Sequence, residues 1–200
     1  MLFRSSDAAE PLEIRTTSVG RPLPGVDMRI VDPESGRPLA AGGVGEIRVK
    51  GYLTVGYYKD EDKNRAAFDD EGYFVTGDLG MLDADGRLYF RGRIKEMIKT
   101  GGINVAPVEV EETLMAHPAV KLACVTGVPD PRRDEVIAAV IVRRPGCSVE
   151  EADLMAHCRR ELAAYKVPRL MKFVSESDLP LTVTGKLQKN RLAELFMSGA

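Results

Sequence analysis

Apolar and polar residues alternate with period two in Val26-Asp27-Met28-Arg29-Ile30-Val31 and again in Gly45-Glu46-Ile47-Arg48-Val49-Lys50. Successive side chains of an extended chain point to opposite faces, so the pattern predicts two strands with one buried face each. Turn clusters, Asp32-Pro33-Glu34-Ser35-Gly36 and Ala41-Gly42-Gly43, lie between them. Tyr73-Phe74-Val75-Thr76 and Arg87-Leu88-Tyr89-Phe90-Arg91 predict two more strands, with Asp83-Ala84-Asp85-Gly86 as the hairpin signal between them. Residues 60–68 predict a short helix. This first part reads as β-rich, a small twisted sheet or barrel.

The pattern changes after Gly92-Arg93-Ile94-Lys95. Residues 107–116 carry Val108, Val110, Leu114 and Met115 at helical spacing, behind Pro107 and with Glu109, Glu111 and Glu112 early. Proline at the start and acids near the first turn suit the donor-rich, positive end of a helix. Apolar runs at 119–127 and 136–142 predict strands. Residues 149–162 predict a second amphipathic helix, with Ser148 as N-cap and Glu151 closing a capping box. A strand at 170–174 and a terminal helix at 191–196 follow. The order helix, strand, strand, helix, strand predicts a compact α+β unit and not a doubly wound sheet. Residues 92–95 are neither Ser- nor Pro-rich. They read as an ordinary loop or as a short, defined joint between two globular halves.

Composition narrows the function classes. Two hundred residues at 44% hydrophobic content can build one or two real cores. A net charge of -2 and a pI near 5.8 argue against nucleic acid or an anionic membrane as the main partner. No apolar run approaches the ~20 residues that span a bilayer. Met1-Leu2-Phe3-Arg4-Ser5-Ser6-Asp7 lacks a signal-peptide core. Cys124, Cys147 and Cys158 show no CxxC spacing, and Cys124 and Cys158 read as small core residues. His117 and His157 have no ligand partners at metal-site spacing and read as structural. The chain reads as soluble, reduced and cytoplasmic.

Four segments hold candidate chemistry. Lys186 follows a Thr-Gly turn, just past a Pro-marked loop, as a positive charge held out from the chain. Asp78 ends a predicted strand in Gly77-Asp78; it can accept from the vicinal hydroxyls of a ribose or satisfy its own turn. Arg93 can clamp a phosphate or ribose oxygen through its fork, or lie solvated on the surface. Residues 97–105 predict a hairpin tipped by Gly101-Gly102, which permits positive φ and close approach of a ligand, or simply makes a turn. No GxxxxGK[ST] loop, Ser-His-Asp set or paired-carboxylate site is present, and Thr17-Ser18-Val19-Gly20-Arg21-Pro22 is too short for a phosphate loop.

Taken in order, the segments resemble the acyl-adenylate-forming superfamily: AMP-dependent acyl-CoA synthetases and ligases, adenylation domains of peptide synthetases, and firefly-type luciferases. The resemblance is carried by residues 45–51 with Gly56-Tyr57-Tyr58, by 73–79, and by the unbroken stretch 92–111. It continues through His117-Pro118-Ala119-Val120, Val128-Pro129-Asp130, Tyr165-Lys166-Val167-Pro168 and Thr184-Gly185-Lys186. One departure is Asp134, where the family commonly has Gly before Glu, in a surface turn where the change is expected to matter little.

The resemblance implies the C-terminal portion of such an enzyme. Residues 1–94 would be the β-rich last subdomain of the large adenylating domain, and 95–200 the small mobile C-terminal domain. The phosphate loop and the adenine- and acyl-binding segments belong to the large domain upstream. The implied chemistry is attack of a carboxylate on the α-phosphate of ATP, then transfer of the acyl group to a thiol, most simply that of coenzyme A. By resemblance Lys186 serves the first step, Asp78 binds the ribose hydroxyls and Arg93 the ribose or phosphate. Lys95 is the hinge, and the loop with Lys99, Gly101 and Gly102 serves thioester formation. The implied ligands are a small carboxylic acid, ATP/AMP and coenzyme A, with Mg2+ accompanying ATP but held by no residue of this chain. No nucleic acid and no membrane span are expected, while a large adenylating domain in cis or trans is. The isolated chain is expected to be inactive. The alternatives are a non-enzymatic remnant or regulatory module, one half of a split ligase, or a carrier-protein-loading enzyme.

Overall fold

The computed structural model describes residues 4–5 and 8–197. Most of the N-terminal stretch read for a signal peptide lies outside the described residues. The chain divides into two compact units, Met1–Lys95 and Glu96–Ala200.

In the first unit, β1 (Arg4–Ser5) pairs with β2 (Arg21–Pro22), with α1 (Leu12–Thr17) between them in sequence. The pattern of alternation did not signal these three short elements. The main sheet is antiparallel in the order β3 (Asp27–Val31), β4 (Val44–Lys50), β5 (Phe74–Leu82), β6 (Leu88–Arg93). It is an open sheet with β3 and β6 as its edges. Met28 and Ile30, Ile47 and Val49, and Leu88 bury one face. α2 (Glu61–Ala67) starts where expected, its first turn capped by Asp60, which accepts the Lys63 N–H at 3.1 Å.

Asp69 pins the loop after α2 to the sheet. One carboxylate oxygen accepts the Tyr73 and Glu71 N–H groups at 2.8 and 3.1 Å, and the other accepts Arg48 and Arg29 at 2.8 and 2.9 Å. Burial opposes its charge, but the Tyr73 N–H and the two guanidinium groups together hold its pKa below the ordinary value.

The second unit is built around β9 (Val120–Asp130) and β10 (Asp134–Arg143). β10 pairs antiparallel with β9 along its length, antiparallel with β7 (Ile98–Thr100) at Thr100, and parallel with β11 (Leu170–Phe173). β8 (Ile103–Val105) closes a hairpin with β7. α3 (Pro107–Met115) and α4 (Glu151–Glu161) contribute Val110, Leu114, Leu154 and Cys158 to a core with Ala123, Val125, Ile137, Ala139 and Ile141. The alternate residues Cys124, Val140 and Val142 face the other way, against Leu179, Leu192 and Leu187. The run 136–142 is apolar throughout because both faces of the ribbon are covered. Cys124 and Cys158 are buried and Cys147 is exposed; burial pushes each buried thiol up to about 11.

Three sequence expectations shift. The cap of α4 is Glu150, which forms the box with Asp153, so Ser148 and Glu151 do not. The Arg143 guanidinium holds the Val149 carbonyl at 2.9 and 3.1 Å, which keeps the chain extended past Ser148 and delays the helix. The terminal helix is a 3-10 turn, Lys189–Arg191, followed by α5 (Glu194–Met197). Packing of Leu192 and Phe196 fixes this segment, since four residues cannot sustain a helix alone. Strand β5 also runs on to Leu82, so Gly77-Asp78 lies inside it and not at its end.

Asp134 also departs from a simple surface turn. It adopts φ +64 at the start of β10, in the left-handed region that an L side chain enters only at a cost. Aspartate tolerates that region better than most residues but not as well as glycine. Asp134→Gly should therefore raise stability by about 0.5–1 kcal/mol. Urea denaturation would show it as a higher midpoint at unchanged slope; an unchanged or lower midpoint would contradict the strain.

Candidate functional site

In the first unit the site is built by irregularities in β5 and β6. Between the pairs Arg48↔Val75 and Glu46↔Leu79, β4 advances two residues while β5 advances four. The extra length is a bulge holding Thr76, Gly77 and Asp78. Gly77 takes φ +68, which a larger residue would resist. The Thr76 hydroxyl donates to the Ile47 carbonyl at 2.6 Å and accepts the Asp78 N–H at 3.0 Å, so it stitches the bulge shut. Asp78 lies opposite Arg93 in the β5–β6 register, and the Arg93 Nε donates to its Oδ1 at 2.8 Å. Both side chains keep part of their surface, at 23% for Asp78 and 42% for Arg93. The pair offers a carboxylate acceptor and a guanidinium donor side by side, which suits a diol next to an anion.

Lys95 lies in the 3-10 turn Ile94–Glu96 and is the last residue of the first unit. Its side chain is exposed.

In the second unit, β7 and β8 meet through Gly101 and Gly102, at φ +59 and +78. Two successive positive φ values make the tight turn whose twist matches a hairpin. Ile98 and Thr100 point into the core, and Lys99 points out. The hairpin is braced from β10: the Lys99 N–H reaches the Glu135 carboxylate at 2.8 Å and the Gly101 N–H the Arg133 carbonyl at 2.9 Å.

Lys186 ends a turn closed by the Thr182 side chain. The Lys186 N–H donates to the Thr182 Oγ1 at 2.9 Å, the Thr182 N–H to the Lys186 carbonyl at 2.8 Å, and Gly185 takes φ +77. Its ammonium is exposed, and no carboxylate among the described residues is within ion-pair range. Three residues on, Lys189 does the opposite. It reaches Glu111 on α3 at 3.0 Å and Glu96 at 3.4 Å, while Glu111 also accepts the Val125 N–H at 2.9 Å. Burial works against the Lys189 charge, but Glu111 and Glu96 outweigh it and hold its pKa above the ordinary lysine value.

The structure thus joins Asp78 to Arg93 in one unit, and places Lys99, Gly101, Gly102 and Lys186 in the other. Sequence reasoning missed Thr76 and the Glu96–Lys189–Glu111 cluster. Thr76 stands next to Gly77-Asp78 and could have been suspected as the residue closing a bulge. The cluster had no local signal, because its partners are 15 and 78 residues apart in sequence. His157 donates from Nε2 to the Thr113 carbonyl at 2.9 Å, and His117 accepts the Ala119 N–H at 3.3 Å, so both imidazoles are used structurally. Among the described residues no group of three or more His, Cys, Asp or Glu could hold a metal ion, and no helix is long and apolar enough to cross a membrane.

Comparison with known proteins identifies what the chain is similar to. The AMP-binding enzyme family matches residues 3–58, and the AMP-binding enzyme C-terminal domain matches residues 109–186. The sulfoacetate–CoA ligase of Cupriavidus necator is 43% identical over 188 residues, which are 94% of this chain and 36% of that protein. ATP-bound MatB from Rhodopseudomonas palustris aligns at a TM-score of 0.83 and 40% identity, over 90% of this chain and 36% of that one. The anthranilate CoA ligase AuaEII in complex with anthranoyl-AMP aligns at 0.84 and 36% identity, over all of this chain and 38% of that one. The chain thus spans a little over a third of the length of these proteins.

The Lys189 cluster generates a stability prediction. Lys189→Met leaves the half-buried Glu111 carboxylate short of its cation and should cost about 1–3 kcal/mol. A lysine whose pKa is raised by folding contributes fully below its unfolded value. That contribution fades only as pH climbs past about 10 toward the folded value. The loss, read from urea midpoints, should therefore be constant between about pH 6 and 9. A loss that vanishes within that range would contradict the ion pairing.

Proposed function

We propose that this chain, which belongs to the AMP-binding enzyme family, supplies the C-terminal part of an ATP-dependent acyl-CoA ligase. The observation that carries this reading is the contrast between two lysines on one segment. Lys189 is bound to two carboxylates, while Lys186 is held out on a hydrogen-bonded turn with none. A cation left without a protein partner is available to an anionic ligand.

In the proposed chemistry a carboxylate oxygen attacks the α-phosphorus of ATP and pyrophosphate leaves. Negative charge gathers on the phosphoryl oxygens and the carboxylate as this happens. The Lys186 ammonium bridges the two and stabilises that charge. Asp78 accepts from the ribose hydroxyls through the oxygen that Arg93 leaves uncovered, and Arg93 donates to the ribose or the phosphate. ATP arrives with Mg2+, for which no ligand cluster is found among the described residues. The thiol of coenzyme A then attacks the acyl carbon, AMP leaves, and the hairpin of Lys99, Gly101 and Gly102 lines the way for the thiol arm. Lys95, at the end of the first unit, serves as the pivot that exchanges Lys186 for the hairpin between the steps. The relatives' printed names cover several acids, and the acid used here is read by the large domain.

Two outcomes test the reading. The isolated chain, given ATP and a panel of carboxylates, should release no pyrophosphate above background, because the adenine and acyl pockets are supplied by the large domain. Sustained release would contradict that division of labour. In the enzyme that includes the large domain, Lys186→Ala should slow adenylation about 10²–10³-fold and leave thioester formation from preformed acyl-adenylate nearly intact. Equal loss in both steps would remove the assigned role.

A further inference from the structure

Little holds the tip of the hairpin that carries Gly101 and Gly102. A Cβ built on Gly102 would meet nothing within 4 Å, and one on Gly101 only the end of the Arg133 side chain, at 3.8 Å. The tip is therefore placed by its stem. In the β7–β8 register Thr100 faces Ile103 across the two-residue turn, and Lys99 faces Asn104. Bonded and unbonded pairs alternate along an antiparallel ladder, and the pair that closes a two-residue turn is bonded. The Lys99 N–H thus points away from β8, toward β10. The ladder between β7 and β10 has one register pair, Asp134↔Thr100. The partner of the Lys99 N–H is not a backbone carbonyl but the Glu135 carboxylate, whose Oε2 accepts it at 2.8 Å.

Glu135 lies opposite Pro129 in the β9–β10 register, and Ile137 lies opposite Gly127. By alternation Glu135 shares the face of Ile137, Ala139 and Ile141, so an acid ends the row that otherwise fills the core. It forms no ion pair among the described residues. Its diagonal neighbour on β9, Gly127, gives it room. A Cβ on Gly127 would lie 2.5 and 2.9 Å from the two carboxylate oxygens, too close for either to stay. Gly127 does not adopt a positive φ, so its backbone does not require glycine. Glycine weakens the interior of a strand, and here the missing side chain is the space that the carboxylate fills. Two bonds then join the hairpin to the ribbon. The Gly101 N–H binds the Arg133 carbonyl, which any residue at 133 would supply, while the Lys99 N–H depends on one side chain. A charged acceptor makes that second bond the stronger kind.

We propose that Glu135 is a positioning residue for thioester formation: its carboxylate, seated beside Gly127, holds the Lys99 N–H and so fixes the hairpin along which the thiol arm passes. What the hairpin does rests on the ligase reading. The attachment of the hairpin to Glu135 stands on geometry alone.

Amide hydrogen exchange in this chain reads the attachment. Glu135→Ala and Gly127→Ala should each speed exchange at Lys99 at least about tenfold, while exchange at Ala123 and Ile141 in the core stays unchanged. Glu135→Gln keeps an acceptor at the same reach and should hold Lys99 within about threefold of the unmodified chain. Unchanged exchange at Lys99 in Glu135→Ala overturns the proposal. In the enzyme that includes the large domain, Glu135→Ala and Gly127→Ala should slow thioester formation from preformed acyl-adenylate at least about tenfold and leave pyrophosphate exchange unchanged. The double variant should be no slower than either single one, because both changes remove the same bond. Glu135→Gln should recover the rate, whereas Glu135→Asp, which keeps the charge but falls a methylene short, should not. Recovery by Asp and not by Gln, or equal loss in both half-reactions, overturns the positioning role. A normal thioester rate in Glu135→Ala overturns it too and leaves the ligase reading intact. An unmodified enzyme that forms no acyl-adenylate overturns the ligase reading and the thioester role with it, while exchange at Lys99 still decides the attachment.

Discussion

The second unit depends on one constraint: the β9–β10 ribbon is covered on both faces. Ala123, Val125, Ile137, Ala139 and Ile141 need α3 and α4, while Cys124, Val140 and Val142 need the C-terminal segment. Leaving either face in water would expose a continuous apolar strip, at about 25 cal/mol for each Å2. Everything with candidate chemistry in this unit hangs on that ribbon. The glycine hairpin pairs with the start of β10, and the segment carrying Lys186 is the cover of the second face. Lys189 adds a directional bond to the cover, fixing to α3 a segment that hydrophobic contact alone would leave free to slide.

The first unit uses backbone irregularity for the same purpose. A regular β4–β5 ladder would point Asp78 by simple alternation. The bulge at Thr76, Gly77 and Asp78 places it across from Arg93 and spends the unpaired backbone groups on a threonine hydroxyl. The alternation of apolar residues therefore ends at the bulge, as expected when a strand is re-aimed.

Charge is divided by the same logic. Arg29, Arg48 and Arg87 bind carboxylates and hold loops to sheets, and Lys166 and Lys189 tie later segments to α3. Lys186 has no such partner among the described residues and stands on an exposed turn.

Much of the fold was legible because its signals are local. Alternation gave β3 and β4, and Asp83-Ala84-Asp85-Gly86 gave the β5–β6 hairpin. Pro107 with its following acids gave α3, and paired glycines gave the β7–β8 turn. The family-like residues were legible too, since Asp78, Arg93 and Lys186 stand in motifs that can be read along the chain. Ser148 failed as a cap because Arg143 holds Val149 from across a loop, and Asp134 looked harmless because a sequence does not display φ. By itself the sequence determined which segments extend, coil or turn, and which residues stand in family-like motifs. Only the tertiary structure decided which charges are neutralised and which stay available. That choice depends on distances between residues far apart in the chain, which no local pattern records.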